Sequence, residues 1–198
     1  MTLVKICGIT ALEDALAACD AGADALGFNF WPRSPRYIEP ERAARIIERI
    51  PGNVLAVGVF VDETAERIEE TAALAGIEVA QLHGDCGTPR LRWWKALEAR
   101  EGVAKEIEQI EAEAFLLDAP AGAQRGGTGR TFDWTLAAGL PGRIVLAGGL
   151  GPDNVKEAIR VARPWGVDAC SRLELSPGRK DPAKVRAFVQ AVREMEER

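Results

Sequence analysis

Short apolar runs alternate with amphipathic segments along the whole chain. The runs with strand character cover residues 3–7, 24–28, 54–60, 78–82, 93–97, 114–118, 143–147 and 166–170. Helical patterns fill the intervals, at residues 11–21, 40–50, 63–74, 101–111, 133–138, 153–162 and 181–196. Such alternation is typical of parallel βαβ units, and eight units in 198 residues match the lower size limit of a (βα)8 TIM barrel. We therefore expect one barrel domain over residues 1–198, with an open doubly wound sheet as the alternative.

One repeat unit is shorter than the others. The interval between His83 and Trp93 is Gly84-Asp85-Cys86-Gly87-Thr88-Pro89-Arg90-Leu91-Arg92. Its glycines and proline leave room for one helical turn at most. The helix after the fourth strand is therefore predicted to be missing or vestigial.

The two-residue period of a strand assigns side chains to the two faces of the sheet. Lys5 and Cys7 share one face of the first strand, and neither suits an apolar helix layer, so this face is expected to point into the barrel. By the same period Gln81 pairs with His83, and Asp168 with Cys170. Parallel strands carry their chemistry at their C-terminal ends. The pattern thus predicts one rim that gathers the side chains of Cys7, His83, Asp118 and Asp168.

Composition excludes several classes of function. Hydrophobic residues make up 47% of the chain and the formal net charge is −5, which argues against nucleic acid or an anionic membrane as the main partner. The sequence shows no apolar run of membrane-spanning length and no signal peptide. One histidine precludes a His-rich metal site, and four cysteines without a C-x-x-C pair favour reduced thiols in the cytoplasm. We expect no metal.

Cys7 and Asp118 are the leading catalytic candidates. Each ends an apolar strand on one ionisable side chain, and a thiol facing a carboxyl can act as base and acid in an isomerisation. Lys5, on the same face as Cys7, favours the thiolate. The alternatives are a cysteine that only fills the core, a loop carboxylate at Asp118, and Cys170 as a competing thiol.

Glycine-bearing turns follow the seventh and eighth strands, where barrels commonly bind phosphate. Gly148 and Gly149 permit close backbone approach, while Ser171 offers a hydroxyl and Arg172 a charged fork. The alternative is a tight turn without a ligand. The glycine-rich stretch 126–130 is either a mobile loop over the substrate or a surface connection. Residues 29–38 carry two arginines and two prolines, and form either a carboxylate clamp beside an aromatic wall or an ordinary loop.

Together these segments resemble the phosphoribosylanthranilate isomerase family of tryptophan biosynthesis. The resemblance runs in order through Lys5-Ile6-Cys7-Gly8-Ile9-Thr10, Gly27-Phe28-Asn29-Phe30, Ser34-Pro35-Arg36-Tyr37-Ile38, Val57-Gly58-Val59-Phe60-Val61, Gln81-Leu82-His83-Gly84-Asp85, Leu116-Leu117-Asp118, Gly126-Gly127-Thr128-Gly129, Phe132-Asp133-Trp134, Leu146-Ala147-Gly148-Gly149-Leu150, Asn154-Val155 and Ser176-Pro177-Gly178. It implies a (βα)8 barrel and a cofactor-free Amadori rearrangement of N-(5-phosphoribosyl)anthranilate.

The resemblance also implies roles for individual residues. Asp118 would be the general acid that opens the ribose ring, and Cys7 the general base that removes the C2 proton. Arg36 would bind the anthranilate carboxylate. Further substrate contacts are expected from Gln81, His83 and Asp168, and phosphate contacts from Gly148, Gly149, Ser171 and Arg172.

Two departures from the family pattern carry expectations of their own. Arg172 stands where the family usually has glycine, so it either adds charge to the phosphate site or weakens it. The short interval after His83 exposes a barrel flank, which makes a homodimer possible. The alternatives in function are a barrel that binds sugar phosphates without catalysis and an isomerase of the histidine-pathway aminoaldose.

Overall fold

Eight parallel strands close into a barrel in the order in which they occur along the chain. The computed structural model describes residues 1–120 and 131–196. The barrel strands are β1 Leu3–Cys7, β2 Ala25–Asn29, β3 Leu55–Val61, β4 Val79–His83, β5 Arg92–Glu98, β6 Ala114–Asp118, β7 Ile144–Leu146 and β8 Gly166–Ala169. Since β1 pairs with β8, no barrel edge stays open. The predicted TIM barrel is confirmed, and the open doubly wound sheet is wrong.

Helices cover the outside of this barrel. They are α1 Leu12–Asp20, α2 Pro40–Ile47, α3 Ala65–Ala75, α4 Val103–Ile107, α5 Val155–Ala162 and α6 Pro182–Arg193. Short 3-10 turns occupy Trp134–Ala137 and Ser171–Leu173, and a hairpin of β9 Glu174–Ser176 and β10 Arg179–Lys180 precedes α6. Local chemistry sets two helix starts: Thr64 caps α3 through the N–H of Arg67, and Asp181 caps α6 through two backbone N–H groups.

Residues 84–91, all of which the structure describes, contain no helix, which confirms the predicted loss of the fourth helix. The loop packs on the start of α3 instead. The Gly87 N–H donates to the Glu63 carbonyl at 2.9 Å, and a Cβ on Gly87 would lie 2.6 Å from the backbone nitrogen of Ala65. A glycine is needed for this close approach. Leu91 and Trp93 join a small apolar cluster around Phe60 on the same flank.

The core has two layers, as a barrel requires. One fills the barrel interior around Trp94, which is fully buried, and whose ring meets that of Trp165 edge-on with centroids 5.9 Å apart. The other layer packs the outward faces of the strands against the helices. The Trp94 side chain fills the barrel interior, so the space for a ligand lies at the C-terminal ends of the strands. Among the described residues, no helix is both long and apolar enough to cross a membrane.

Candidate active site

The side chains of Lys5 and Cys7, near the C-terminal end of β1, both lie inside the barrel, as the two-residue period of the strand predicted. Lys5 is fully buried, and its Nζ lies 2.7 Å from Oδ1 of Asp168 on the neighbouring strand β8. The strand register puts these residues side by side. Burial by itself lowers the pKa of the Lys5 ammonium, but Asp168 and the Cys7 sulfur outweigh it, so that the pKa is raised. Lys5 therefore stays a cation beneath Cys7.

Space for Cys7 comes from a glycine on the adjacent strand. Gly27 of β2 is the register partner of Cys7. A Cβ on Gly27 would lie 2.7 Å from the Cys7 Sγ and 3.0 Å from the Lys5 Nζ. Any side chain at this position would displace both groups.

The surroundings of Cys7 favour its ionised form. A hydrogen bond with Cys170 and, secondarily, the charge of Lys5 lower the pKa of the Cys7 thiol to about 7, although burial opposes the shift. Since the thiolate is the reactive form of cysteine, Cys7 is suited to take up a proton near neutral pH.

The pKa of Asp118 is shifted in the opposite direction, upward. This residue ends β6, and its Oδ1 accepts a hydrogen bond from the N–H of Ala119 at 2.8 Å. Burial raises the pKa of this carboxyl to about 6, against the effect of that hydrogen bond, and the negative charge of Asp168 adds to the rise. A carboxyl of this kind can hold a proton near neutrality and donate it.

One cavity connects these two groups. It has a volume of about 530 Å³ and is lined by most of the predicted site residues, namely Cys7, Arg36, Gln81, His83, Asp118 and Asp168. The loop after β2 forms its side wall with Trp31, Arg33 and Pro35. Apolar side chains of β3 and β6 complete the lining. The cavity suits a ligand with an apolar ring and anionic substituents.

Arg36 enters the cavity from this loop in a fixed orientation. Its Nε and Nη2 donate to the carboxylate of Glu174, at 2.9 and 2.8 Å. The hydrogen bonds to Glu174 raise the pKa of the guanidinium, so it is cationic throughout. Only 12% of the Arg36 side chain is exposed, which identifies a guanidinium held in place rather than a solvated one.

Gln81 and His83 stand next to each other on the cavity wall. The Gln81 Nε2 lies 2.8 Å from the His83 Nε2. The Gln81 Oε1 is buried without a hydrogen-bond partner in the described structure. A buried acceptor without a partner is costly, so a ligand donor is an attractive partner for it. Among the described residues, no group of His, Cys, Asp and Glu side chains has the arrangement to hold a metal.

A smaller cavity of about 30 Å³ adjoins the first and shares Asp118, Asp168 and Cys170 with it. Three predicted phosphate residues, Gly148, Gly149 and Ser171, line this cavity. Both glycines have positive φ, of 79° and 61°. A Cβ on Gly148 would lie 2.8 Å from the backbone nitrogen of Ala119. Glycine thus lets the loop after β7 approach the end of β6.

The structure does not bring Arg172 into either cavity. Its Nη2 donates to Asp153 at 2.6 Å, and its Nη1 lies 3.4 Å from the carbonyl of Gly149. The guanidinium therefore braces the loop after β7 from outside. The stretch 126–130 lies outside the described residues.

Comparison with known proteins identifies this arrangement. Residues 4–191 match the family model described as N-(5'phosphoribosyl)anthranilate (PRA) isomerase. An isomerase of that name from Geobacter sp. (strain M21) is 52% identical, over 98% of this chain and 100% of its own. The chain belongs to the N-(5'-phosphoribosyl)anthranilate isomerase family.

Solved structures of this family have the same fold. A phosphoribosylanthranilate isomerase in complex with reduced 1-(o-carboxyphenylamino)-1-deoxyribulose 5-phosphate aligns with a TM-score of 0.84 at 38% identity, over 98% of this chain and all of the other. A structure described as that of mutually generated monomers of the dimeric phosphoribosylanthranilate isomerase from Thermotoga maritima aligns with a TM-score of 0.84 at 40% identity and the same coverage. The chain is accordingly an isomerase of tryptophan biosynthesis, and a sugar-phosphate barrel without catalysis is not supported.

Sequence reasoning missed two buried charged residues beside the candidate site of this phosphoribosylanthranilate isomerase family member. The hairpin β9–β10 returns Lys180 to the rim, where its Nζ lies 2.9 Å from Glu174. Neither residue was a candidate, because a two-residue strand such as β10 has no detectable period. The hairpin is exposed at Leu175, Ser176, Pro177 and Arg179, so its sequence gives no signal that Glu174 and Lys180 are buried. Asn29 and Pro177 also line the large cavity.

Proposed function

We propose that Cys7 is the general base and Asp118 the general acid of the isomerisation. The observation that carries this proposal is that one cavity holds both side chains, with the pKa of the thiol lowered and that of the carboxyl raised. Asp118 protonates the ribose ring oxygen of N-(5-phosphoribosyl)anthranilate and opens the ring to a Schiff base. Cys7 removes the C2 proton and gives an enolamine, which tautomerises to 1-(2-carboxyphenylamino)-1-deoxyribulose 5-phosphate. The proposed reaction uses side chains of this chain and no cofactor.

The substrate lies along the line from the β2 loop to the β7 and β8 loops in this proposal. The anthranilate ring packs against Trp31, and Arg36 binds its carboxylate, because the ion pair with Glu174 holds the guanidinium at the cavity wall. Gln81 offers its buried acceptor to a substrate N–H or hydroxyl. His83 on β4 and Asp168 on β8 contact the sugar from opposite sides of the barrel.

The phosphate lies in the smaller cavity. Gly148 and Gly149 supply closely approaching backbone, and Ser171 supplies a hydroxyl. Arg172 lines neither cavity and is paired with Asp153, so it supports the phosphate site by holding the Gly149 turn. A direct charge contact of Arg172 with the phosphate stays a prediction.

The wider setting of the enzyme is also a proposal. Residues 1–198 act as one catalytic domain. The dimeric Thermotoga maritima relative supports a homodimer. Four free cysteines, one of them the base, support a reducing compartment and so the cytoplasm.

The test is an activity assay on three variants. Phosphoribosylanthranilate is made in situ from anthranilate and phosphoribosyl pyrophosphate with the partner transferase, and its fluorescence decay is followed. Cys7→Ala and Asp118→Asn should each lose more than about 10²-fold in kcat, the range for a lost acid or base. Cys19→Ala is the matched control, because Cys19 lies on α1 outside the cavity.

The kcat values of Cys7→Ala and Asp118→Asn test the roles of the two residues separately. Near-normal kcat in either catalytic variant would overturn the role of that residue. Activity on the histidine-pathway aminoaldose, measured with the same proteins, defines whether the substrate range extends to a second aminoaldose.

A further inference from the structure

A fully buried lysine lies next to residues of the large cavity, and the proposed mechanism does not use it. Lys180 belongs to the short strand β10, and its side chain is 0% exposed. Its Nζ donates to the Glu174 Oε1 at 2.9 Å and to the Cys170 carbonyl at 3.4 Å. An ammonium is costly to bury and is retained only with such partners. A cation at this place changes the charge that a ligand in the cavity meets.

Glu174 lies between Lys180 and Arg36. Its Oε1 accepts from the Lys180 Nζ and from the Arg36 Nε, each at 2.9 Å, and its Oε2 accepts from the Arg36 Nη2 at 2.8 Å. Burial by itself raises the pKa of the Glu174 carboxyl, but the hydrogen bonds from Arg36 and the charge of Lys180 outweigh it, so that the pKa is lowered. One buried carboxylate is therefore shared by two cations.

This sharing leaves the three groups with one positive charge in excess, because two cations face one anion. A pair of Arg36 with Glu174 alone would be neutral, and a ligand carboxylate would meet a guanidinium whose charge is already compensated. Lys180 supplies the second cation. The excess charge lies in a poorly hydrated wall, where charges interact more strongly than in water.

The other charged groups at the rim increase the need for this cation. Lys5 and Asp168 form an ion pair at 2.7 Å and so cancel each other. In the proposed reactive form Asp118 is neutral, while the Cys7 thiolate adds a negative charge. Without Lys180 these groups would be net negative before a ligand carboxylate arrives, and such a charge would repel it.

The Arg36 guanidinium keeps one edge for a ligand. Glu174 takes the edge formed by Nε and Nη2. The edge at Nη1 can bind a carboxylate in the cavity that Arg36 lines.

The backbone of the hairpin β9–β10 is anchored independently of the Lys180 side chain. The Lys180 N–H donates to the Asp14 Oδ2 at 2.9 Å, and the Thr10 Oγ1 donates to the Gly178 carbonyl at 2.6 Å. A substitution of the Lys180 side chain therefore removes its charge and leaves these anchors in place.

We infer that Lys180 is a positioning residue that gives this isomerase its preference for a substrate with a carboxylate on the aromatic ring: its ammonium offsets the charge of Glu174, so that Arg36 keeps its own charge for that carboxylate. The inference rests on the proposed role of Arg36 as the carboxylate contact.

The experiment measures the preference for the carboxylate directly. Isothermal titration calorimetry gives the Kd of reduced 1-(o-carboxyphenylamino)-1-deoxyribulose 5-phosphate, the ligand in the complex of a relative, and of the same compound without its ring carboxyl group. The preference is the Kd of the second ligand divided by that of the first. Both ligands carry the phosphate, so any effect of Lys180 on phosphate binding cancels, and a general structural defect weakens both alike.

Lys180→Met removes the charge and keeps most of the side-chain volume. Glu174 keeps its pair with Arg36 in this variant, so no buried charge is left alone, and circular dichroism checks the fold. We expect the preference to fall about tenfold, as is typical for the loss of one nearby charge in a partly buried site.

Glu174→Gln provides a second background for the same substitution. In that variant two cations remain, and adding Lys180→Met returns the excess to one positive charge. The preference should again fall about tenfold on this step, to within about threefold of the wild-type value.

Lys184→Met is the matched control. The Lys184 Nζ lies 3.1 Å from the Glu174 carbonyl rather than from its carboxylate, and the side chain is 46% exposed. The preference should therefore stay within about twofold of the wild type.

Two results would overturn the inference. If Lys180→Met weakens both ligands alike and leaves the preference unchanged, Lys180 only supports the structure. If the preference falls in Lys180→Met but stays equally low when Glu174→Gln is added, the charge balance does not set it.

Arg36→Ala tests the proposed function separately. A wild-type preference in Arg36→Ala would show that Arg36 does not bind the carboxylate, and the proposed contact fails. If Arg36→Ala abolishes the preference and Lys180→Met does not change it, the proposed contact stands and the inference alone fails.

Discussion

At the scale of single residues, the site depends on two side chains whose pKa values move toward each other. The pKa of the Cys7 thiol falls from 9.0 to about 7, and the pKa of the Asp118 carboxyl rises from 3.8 to about 6. The carboxyl still has the lower pKa of the two. The reactive form, with a thiolate and a protonated carboxyl, is therefore the less populated of the two singly protonated forms.

This order of pKa values predicts a narrow pH profile. Below about pH 6 the rate rises with pH because Cys7 loses its proton, and above about pH 7 it falls because Asp118 has lost its own. We expect kcat/KM to peak near pH 6.5 and to change about tenfold per pH unit on either side. Initial rates from about pH 5 to about pH 9 check this, with Cys19→Ala as the control. A plateau that extends above about pH 8 would contradict Asp118 as the acid.

Gly27 gives a second prediction at this scale. A methyl group at Gly27 would lie 2.7 Å from the Cys7 Sγ, so Gly27→Ala must displace the base. We expect kcat to fall by about 10²-fold, the cost of moving a reacting group by about 1 Å. The matched control is Gly52→Ala, since a Cβ on Gly52 meets nothing within 4 Å. Steady-state kinetics of both variants decide the point, and an unchanged kcat in Gly27→Ala would show that Cys7 does not need this space.

At the scale of elements, the barrel closes through a buried ion pair. Lys5 on β1 and Asp168 on β8 join strands that lie at opposite ends of the sequence. A buried pair that loses one partner leaves an uncompensated charge in the interior. Exposed pairs of the same type contribute little, because water screens them.

Asp168→Asn should therefore destabilise the fold by about 3 kcal/mol. The control is Glu70→Gln, which removes an i,i+3 pair with Arg67 in which both side chains are 65% exposed and should cost less than about 1 kcal/mol. Urea denaturation of the two variants measures the difference. Equal free energies of unfolding would mean that closure between β1 and β8 does not rely on this pair.

The secondary-structure elements also show which parts of the fold the sequence pattern can predict. All eight barrel strands were predictable, because each is an apolar run of period two or a fully buried run between helical patterns. The glycines and the proline between Gly84 and Pro89 predicted that no helix forms there, because these residues disfavour helical backbone. Lys180 and Glu174 were not predictable, because their contact depends on a hairpin too short to have a period. The pairing of Arg172 with Asp153 joins the loops after β8 and β7, and the local sequence of neither loop encodes it.

At the scale of the whole molecule, barrel closure makes one site out of distant parts of the chain. The large cavity combines Cys7 near the start with Cys170 and Pro177 near the end. The chain ends are tied as well: the Arg193 Nη2 of α6 lies 2.7 Å from Asp24, and its Nη1 donates to the Thr2 carbonyl at 2.8 Å. A ligand in this cavity therefore contacts segments that separate on unfolding, and its binding energy adds to the stability of the barrel.

That coupling predicts a thermal shift that depends on both ends of the ligand. Reduced 1-(o-carboxyphenylamino)-1-deoxyribulose 5-phosphate, at about 100 times its Kd, should stabilise the protein by about 2.7 kcal/mol and raise Tm by about 5–11 °C. Cys7→Ala should keep this shift, because it removes the base and no proposed binding contact. Arg36→Ala should lose most of it, since Arg36 is the proposed carboxylate contact. Inorganic phosphate should give a smaller shift that Arg36→Ala leaves unchanged. Scanning calorimetry of the three proteins separates these outcomes, and a full shift in Arg36→Ala would remove Arg36 from the binding site.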